Sequence, residues 1–176
     1  MAWIKEISRK ENKKLNDIYE SAESRTKEET ANVLKVHSIH PEVLEAHMAL
    51  YEELMFGKGE LSRQQREMIG VVVSSANKCP YCVGHHGASL VKVTKNKALM
   101  EKVSENYLEA ILTKADLEIC KYAEKLTKTS YKMIEADIEK LRKVGFSDKA
   151  IFDINQITAY FNYVNRVVEG LGVELE

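Results

Sequence analysis

The segment of this chain whose residue types can do chemistry is Cys79-Pro80-Tyr81-Cys82, followed at once by His85 and His86. Cysteines three positions apart on a helix have Cα atoms roughly 5–6 Å apart, within the range a disulfide can close. Such a pair can pass between dithiol and disulfide without large backbone motion. At the start of a helix the sulfurs would also feel unpaired N–H groups and the positive end of the dipole, which lower a cysteine pKa and raise its thiolate fraction. His86 lies four residues beyond Cys82, so Cys79, Cys82 and His86 stand at i, i+3 and i+7, on one helical face. Thiolate attack on a peroxide O–O bond expels an alkoxide-like group that must be protonated, and imidazole suits that transfer. The two sulfurs are not equivalent: Cys79 is nearer the terminus and its dipole, whereas Cys82 is nearer His86. The residues alone do not choose between them. Glu67, in the second turn of the preceding helix, shares a face with Gly70, Val71 and Ser74, whose small members would let another helix come close. A carboxylate there could orient the imidazole and favour its protonated form.

The elements that must position these groups read as helices. Eight Gly and two Pro punctuate 176 residues otherwise rich in Leu, Lys, Glu, Ala and Met, which predicts an all-α fold, a compact multi-helix bundle. Leu15, Ile18 and Tyr19 place a helix at about 10–24, with a polar break at Ser24-Arg25-Thr26-Lys27, and a second short helix covers about 29–38. Pro41 opens a helix in which Leu44, Met48, Tyr51 and Met55 recur until Gly57-Lys58-Gly59 stops it near 56. Ser62 and Gln65 form a capping box for a helix at about 62–78, apolar or small on every face from Ile69 to Ala76; Val71-Val72-Val73 leaves a short strand as the rival reading. Pro80 then opens a helix of about 80–92. Thr94 caps one at 95–104, and Thr113 with Asp116 makes a second capping box for 114–127. Further helices follow at about 131–143 and 147–169. In the last, Ile151, Ile154, Ile157, Phe161, Val164 and Val167 form a core stripe that Gly170-Leu171-Gly172 ends.

Composition sets the surroundings. The length fits a single domain, here 1–176 with an N-terminal helical extension of about 1–40. Lys and Arg number 26 against 27 Asp and Glu, with the signs interspersed, so no nucleic-acid-tracking surface is expected. No run approaches the roughly 18 apolar residues of a membrane span. The N-terminus turns charged within Met1-Ala2-Trp3-Ile4-Lys5-Glu6, which argues against an export signal and for a cytoplasmic home. Three cysteines in a reducing compartment make no disulfide framework; redox chemistry or metal binding is the better reading.

Glu67, eleven intervening residues, Cys79-Pro80-Tyr81-Cys82, three more and His86 together resemble the Glu…Cys-x-x-Cys-x-x-x-His signature of the AhpD-like alkylhydroperoxidases in the carboxymuconolactone decarboxylase superfamily. The longer text from Arg66 to His86, with Phe161-Asn162-Tyr163-Val164-Asn165-Arg166 and Leu171-Gly172-Val173, is similar to the peroxidase-related branch. The resemblance implies an all-helical homo-oligomer that reduces hydroperoxides. In it Cys82 is oxidised to a sulfenic acid and Cys79 resolves it to a disulfide. An external dithiol, lipoyl- or thioredoxin-like, then reduces the disulfide, while Glu67 and His86 relay protons. No metal, haem or flavin is called for. The sequence departs from the family pattern at Tyr81, where well-studied members carry a second histidine between the cysteines.

Blander readings stand beside these. The cysteine pair could be buried core thiols, or with His85 or His86 supply zinc ligands, though no second ligand pair follows. Cys120 has no histidine at helical spacing and reads as core. His85 points about 100° away from His86 and reads as a surface or interface residue. His37, His40 and His47 read as structural, as do Asn162, Asn165 and Arg166, while Tyr160, Phe161 and Tyr163 read as packing. Two other functions use the same residues: a decarboxylase, which a redox dithiol argues against, and a thiol-switch or chaperone-like binding protein without efficient turnover.

Overall fold

The structure, a computed structural model, describes residues 2–27 and 29–176, so the N-terminal run read above begins outside it at Met1. The described residues form nine α-helices and no strand: α1 Lys13–Thr26, α2 Asn32–Lys35, α3 Pro41–Phe56, α4 Arg63–Ala76, α5 Pro80–Thr94, α6 Lys97–Asn106, α7 Lys114–Thr129, α8 Glu135–Lys143 and α9 Asp148–Leu171. The chain divides into two compact units, Met1–Glu52 with Arg166–Glu176, and Glu53–Asn165. No helix among the described residues is long and apolar enough to cross a membrane.

In the first unit, α1 begins later than its periodicity suggests. Arg9–Glu11 forms a separate 3-10 turn with Ser8 as its cap, and Asn12 then opens α1 by accepting from the Leu15 N–H at 3.1 Å. The expected break at 24–27 is also too early: α1 runs through Thr26 and ends where Lys27 turns left-handed at φ 63°. The helix expected over 29–38 shrinks to the four residues of α2, whose N-cap position holds Ala31 and makes no side-chain hydrogen bond. One face of α1, Leu15, Tyr19 and Ala22, packs with Leu34, Leu44 and Met48. At the other end of the chain Gly172 adopts φ 62° and the Val173 N–H reaches back to the Val168 carbonyl at 3.0 Å, the six-to-one bond of a Schellman motif. The Val173 side chain is buried behind it.

His37 and His47 are buried in this unit with their rings stacked at 4.8 Å, and the Nδ1–H of His37 donates to the Val33 carbonyl at 2.7 Å. Burial, reinforced by His37, pushes the His47 imidazole down to about 4, and burial lowers His37 as well. A histidine held below its unfolded value of about 6.5 stabilises the fold fully above that pH and progressively less as pH falls towards the folded value. Acidification from pH 7 to about 4 should therefore cost about 3 kcal/mol through His47. Urea titrations at intervals down to pH 5, where most carboxylates are still ionised, should show about 2 kcal/mol of the loss, and His47→Gln should flatten it. A midpoint constant across that window would contradict the prediction.

In the second unit α4 is the central element, buried continuously from Arg66 to Ser74 and packed against α5, α6 and α7. The capping box is made as expected: the Gln65 N–H donates to Ser62 Oγ at 3.2 Å and the Ser62 N–H to Gln65 Oε1 at 3.0 Å. Val71-Val72-Val73 is helical, and burial on all sides accounts for its apolar run. The last carbonyls of α3 and the turn after it are satisfied by α4: Arg66 donates to Leu54, Gly57 and Leu61 at 2.6, 3.0 and 3.2 Å, and Arg63 Nη1 to Met55 at 2.7 Å.

Four expectations need correction here. Asn96, not Thr94, caps α6 by accepting from the Leu99 N–H at 2.9 Å; Thr94 is still the last residue of α5, its hydroxyl donating to the Leu90 carbonyl at 2.8 Å and accepting from the Asn96 N–H at 3.2 Å. Thr113 caps α7 through the Asp116 N–H at 3.1 Å, yet the Asp116 carboxylate accepts from Gln65 of α4 at 2.9 Å, so tertiary packing takes the residue a capping box would have used. The helix expected from 131 starts at Glu135, after a 3-10 turn at Ser130–Lys132. In α9 the stripe passes through Ile151, Ile154, Ile157, Phe161 and Val164 to Val168 rather than Val167, as a period of about 3.6 residues requires over so long a helix.

Candidate functional site

Two features of α4 and one turn build the site. Asn77 closes α4, Lys78 takes the left-handed region at φ 59°, and the Cys79 N–H returns to the Ser74 carbonyl at 2.9 Å. The chain thereby reverses in three residues and starts α5 with Cys79 at the N-cap and Pro80 in the first turn, where a missing N–H costs nothing. Cys79 makes no side-chain cap hydrogen bond, and Cys82 lies one turn further on; both are buried, at 0% and 2% exposure. The turn is braced by a polar network. Asn77 Nδ2 donates to Asn162 Oδ1 at 3.0 Å and Asn165 Oδ1 at 2.9 Å, Asn165 Nδ2 donates to Ser74 Oγ at 3.2 Å, and Asn162 Nδ2 donates to Thr127 Oγ1 at 2.9 Å. Asn162 and Asn165 thus make structural contacts within the chain.

His86 and Glu67 are brought together. The His86 Nδ1–H donates to Glu67 Oε2 at 2.8 Å, and the carboxylate is wholly buried. A carboxylate only accepts, so this bond assigns the proton to Nδ1 and leaves Nε2 as the position at which His86 can exchange a proton. The other oxygen, Oε1, faces the Arg63 guanidinium at 2.5 Å as an ion pair without an aligned hydrogen bond. Phe161 of α9 closes the opposite side of the imidazole, edge to face at 4.3 Å. Tyr81 is buried with its ring 4.5 Å from that of His85, so the position between the cysteines faces His85. Among the described residues, no group of three or more His, Cys, Asp and Glu side chains is arranged to hold a metal ion. Cys120 is fully buried, and its thiol is pushed far above the ordinary range by desolvation and by Asp116 and Glu124.

Gly70 is what lets these elements meet. A Cβ at this position would stand 3.1 Å from His86 Cγ and 3.1 Å from Phe161 Cε2. Neither neighbour is the loose end of a flexible chain: one is tethered to Glu67 and the other is fully buried. Alanine would favour the helix by about 1 kcal/mol, but crowding in a packed core costs about 1–3 kcal/mol. Gly70→Ala should therefore lower stability by about 1 kcal/mol and displace the imidazole from Glu67. An unchanged or raised denaturation midpoint would show that the site has slack.

A model of the carboxymuconolactone decarboxylase family matches residues 41–116, the stretch that holds Glu67, both cysteines and His86. A peroxidase-related protein from Silicibacter sp. TM1040 is 36% identical over 93% of this chain and 85% of its own, with a TM-score of 0.88. The chain belongs to the peroxidase-related branch of the AhpD-like, carboxymuconolactone decarboxylase superfamily. A second AhpD-core peroxidase-related protein, from Ralstonia eutropha JMP134, is 30% identical over 99% of this chain and 92% of its own, with a TM-score of 0.93. The debrominase Bmp8 shares the AhpD-like fold at a TM-score of 0.83 over 97% of this chain and 90% of its own, but at 16% identity the likeness is one of fold alone. A search of curated proteins gives no significant match. The chain shares the all-helical AhpD-like fold, and its cysteine pair stands at the start of α5.

Sequence reasoning missed three contributors to the site. Arg63 carried a readable signal, an opposite charge four residues from Glu67, but such pairs are common on solvent faces. The closing contact of Phe161 on His86, and the convergence of Asn77 with Asn162 and Asn165, join residues more than seventy positions apart and left no local signal.

Proposed function

We propose that this AhpD-like chain is a thiol-dependent peroxidase that reduces hydroperoxides through a Cys79/Cys82 dithiol–disulfide cycle. The observation that supports it best is the buried Glu67–His86 hydrogen bond, with the imidazole one helical turn beyond Cys82. In the first step the Cys82 thiolate attacks a peroxide oxygen. An S–O bond forms as the O–O bond breaks, sulfur is oxidised to sulfenic acid, and His86 delivers through Nε2 the proton it took there from the ionising Cys82 thiol, turning the departing alkoxide into an alcohol. Cys79 then attacks the oxidised sulfur and expels water, leaving the disulfide. An external dithiol reduces it by exchange and is itself oxidised to a disulfide. Glu67 holds the imidazole in the tautomer that can do this. The activity is expected in the cytoplasm, in a homo-oligomer.

Burial shapes the reading. With Cys82 at 2% exposure, peroxide has little direct access to the sulfur, so small hydroperoxides should react faster than bulky ones. The test is steady-state turnover of several hydroperoxides against several dithiol reductants. Repeated turnover with hydrogen peroxide ahead of cumene hydroperoxide supports the proposal. A second reading, a thiol switch, is favoured by the same burial and by Tyr81 standing between the cysteines. A single stoichiometric oxidation that no dithiol converts into turnover would select it over the peroxidase.

A further inference from the structure

Arg63 does more than pair with a carboxylate. Its guanidinium lies 3.8 Å over the Phe56 ring, Nη1 donates to the Met55 carbonyl at 2.7 Å, and Nη2 stands 2.5 Å from Glu67 Oε1. Three contacts on different sides fix its position. The neighbouring Arg66 spends its donors on backbone carbonyls, so Arg63 is the arginine that meets the site. Against the imidazole stand Glu67 and the small Gly70 from α4 and the uncharged Phe161 ring from α9, with Cys82 four residues earlier on α5. Glu67 is thus one buried negative charge between two bases, of which arginine is protonated at every relevant pH.

We propose that Arg63 is a positioning residue that supplies Glu67 with a permanent counter-charge and so leaves His86 able to give up its proton. A wholly buried carboxylate with histidine as its sole partner would hold the imidazolium tightly, because separating the pair would strand an uncompensated charge in a low-dielectric interior. With Arg63 already neutralising that charge, protonating His86 adds a net positive charge to the cluster. The same bond then orients the ring without trapping the proton. The functional weight of this role rests on the reading of His86 as the group that moves protons in peroxide reduction; the charge balance itself does not.

The experiment compares the full-length parent with Arg63→Met and Arg63→Lys, each checked for native helicity by circular dichroism. The ring resonances of His86, assigned by the loss of signal in His86→Asn, are followed by NMR across pH. In Arg63→Met their midpoint should move about one pH unit or more upwards from the parent. Arg63→Lys should stay near the parent because it keeps the charge. A linked signature belongs to the charge role alone. If Arg63→Met takes up a proton on His86 when folded, its stability deficit should widen as pH rises from 6 to 9 and that proton is lost. An unmoved midpoint with a deficit independent of pH would overturn the proposal and leave Arg63 as a packing residue. Should the parent itself show no peroxide turnover while the midpoint still shifts, the peroxidase reading fails and the charge role stands.

Discussion

Cys82→Ser should fold and lose hydroperoxide turnover altogether, whereas Cys79→Ser should stop after one oxidation with a sulfenic acid trapped on Cys82. Serine lacks an ionisable thiol, so the variant at Cys82 keeps the shape of the site and loses its nucleophile. The Cys79 variant is cleaner still. Cys79 occupies the N-cap of α5 without a side-chain cap hydrogen bond, and serine is a favoured N-cap residue, so the substitution should hold or raise stability. Loss of cycling there would then come from the missing resolving thiol and not from a damaged helix. Cys120 serves as an internal reference: its thiol is held protonated by burial beside Asp116 and Glu124 and should stay unmodified. The measurement is dimedone trapping after one equivalent of peroxide, read by mass spectrometry of the peptides. Label on Cys79 in Cys82→Ser, with none on Cys82 in Cys79→Ser, would exchange the two roles. The distinction matters because dipole and histidine pull in opposite directions along this helix: Cys79 has the terminus, Cys82 the imidazole.

That conflict shows where sequence reading stops. Helix starts governed by chemistry within four residues were legible. Pro41 and Pro80 sit at the first positions of α3 and α5, and the Ser62–Gln65 box opens α4. The i, i+3, i+7 spacing of Cys79, Cys82 and His86 also survives intact, since the helix that carries it is continuous. What failed were caps whose side chain had another partner, a distant one or one within the preceding helix. Asp116 leaves its capping role for Gln65, and Thr94 folds back onto Leu90 and yields the cap to Asn96. Val167 gives way to Val168 because a stripe drawn by eye accumulates phase error over 24 residues. The pairing of Glu67 with His86 belongs to a third class. Spacing placed each on its own helix, the small Gly70 hinted at an approach close enough for the carboxylate to orient the imidazole, and the family resemblance pointed to the same pair; the 2.8 Å bond is the structural counterpart.

The same bond carries the second large expectation. Glu67→Gln should cut peroxide turnover by about 10²- to 10⁴-fold, the usual weight of a positioned proton-transfer group. The reason is tautomeric. A carboxylate fixes the proton on Nδ1, whereas a glutamine amide can turn its NH₂ towards that nitrogen and drive the proton to Nε2. In the imidazolium both nitrogens are protonated, so a neutral amide, which can still accept through its oxygen, removes the negative charge that stabilises the charged state. Stability should respond less than activity, and an asymmetry of exposure says why. Removing Glu67 takes away the wholly buried member of the ion pair and leaves Arg63, whose side chain is 27% exposed and can swing its charge into solvent. The cost should therefore be about 1–2 kcal/mol, short of the roughly 3–5 kcal/mol seen when a buried charge is left alone. Removing Arg63 strands the buried partner instead, so at pH 8 the denaturation midpoint should fall further for Arg63→Met than for Glu67→Gln. The two axes separate the roles: Glu67→Gln should lie low in turnover and mild in stability. Turnover within tenfold of the parent, at any stability, would remove Glu67 from the proton relay and leave it as the buried partner that fixes where His86 stands.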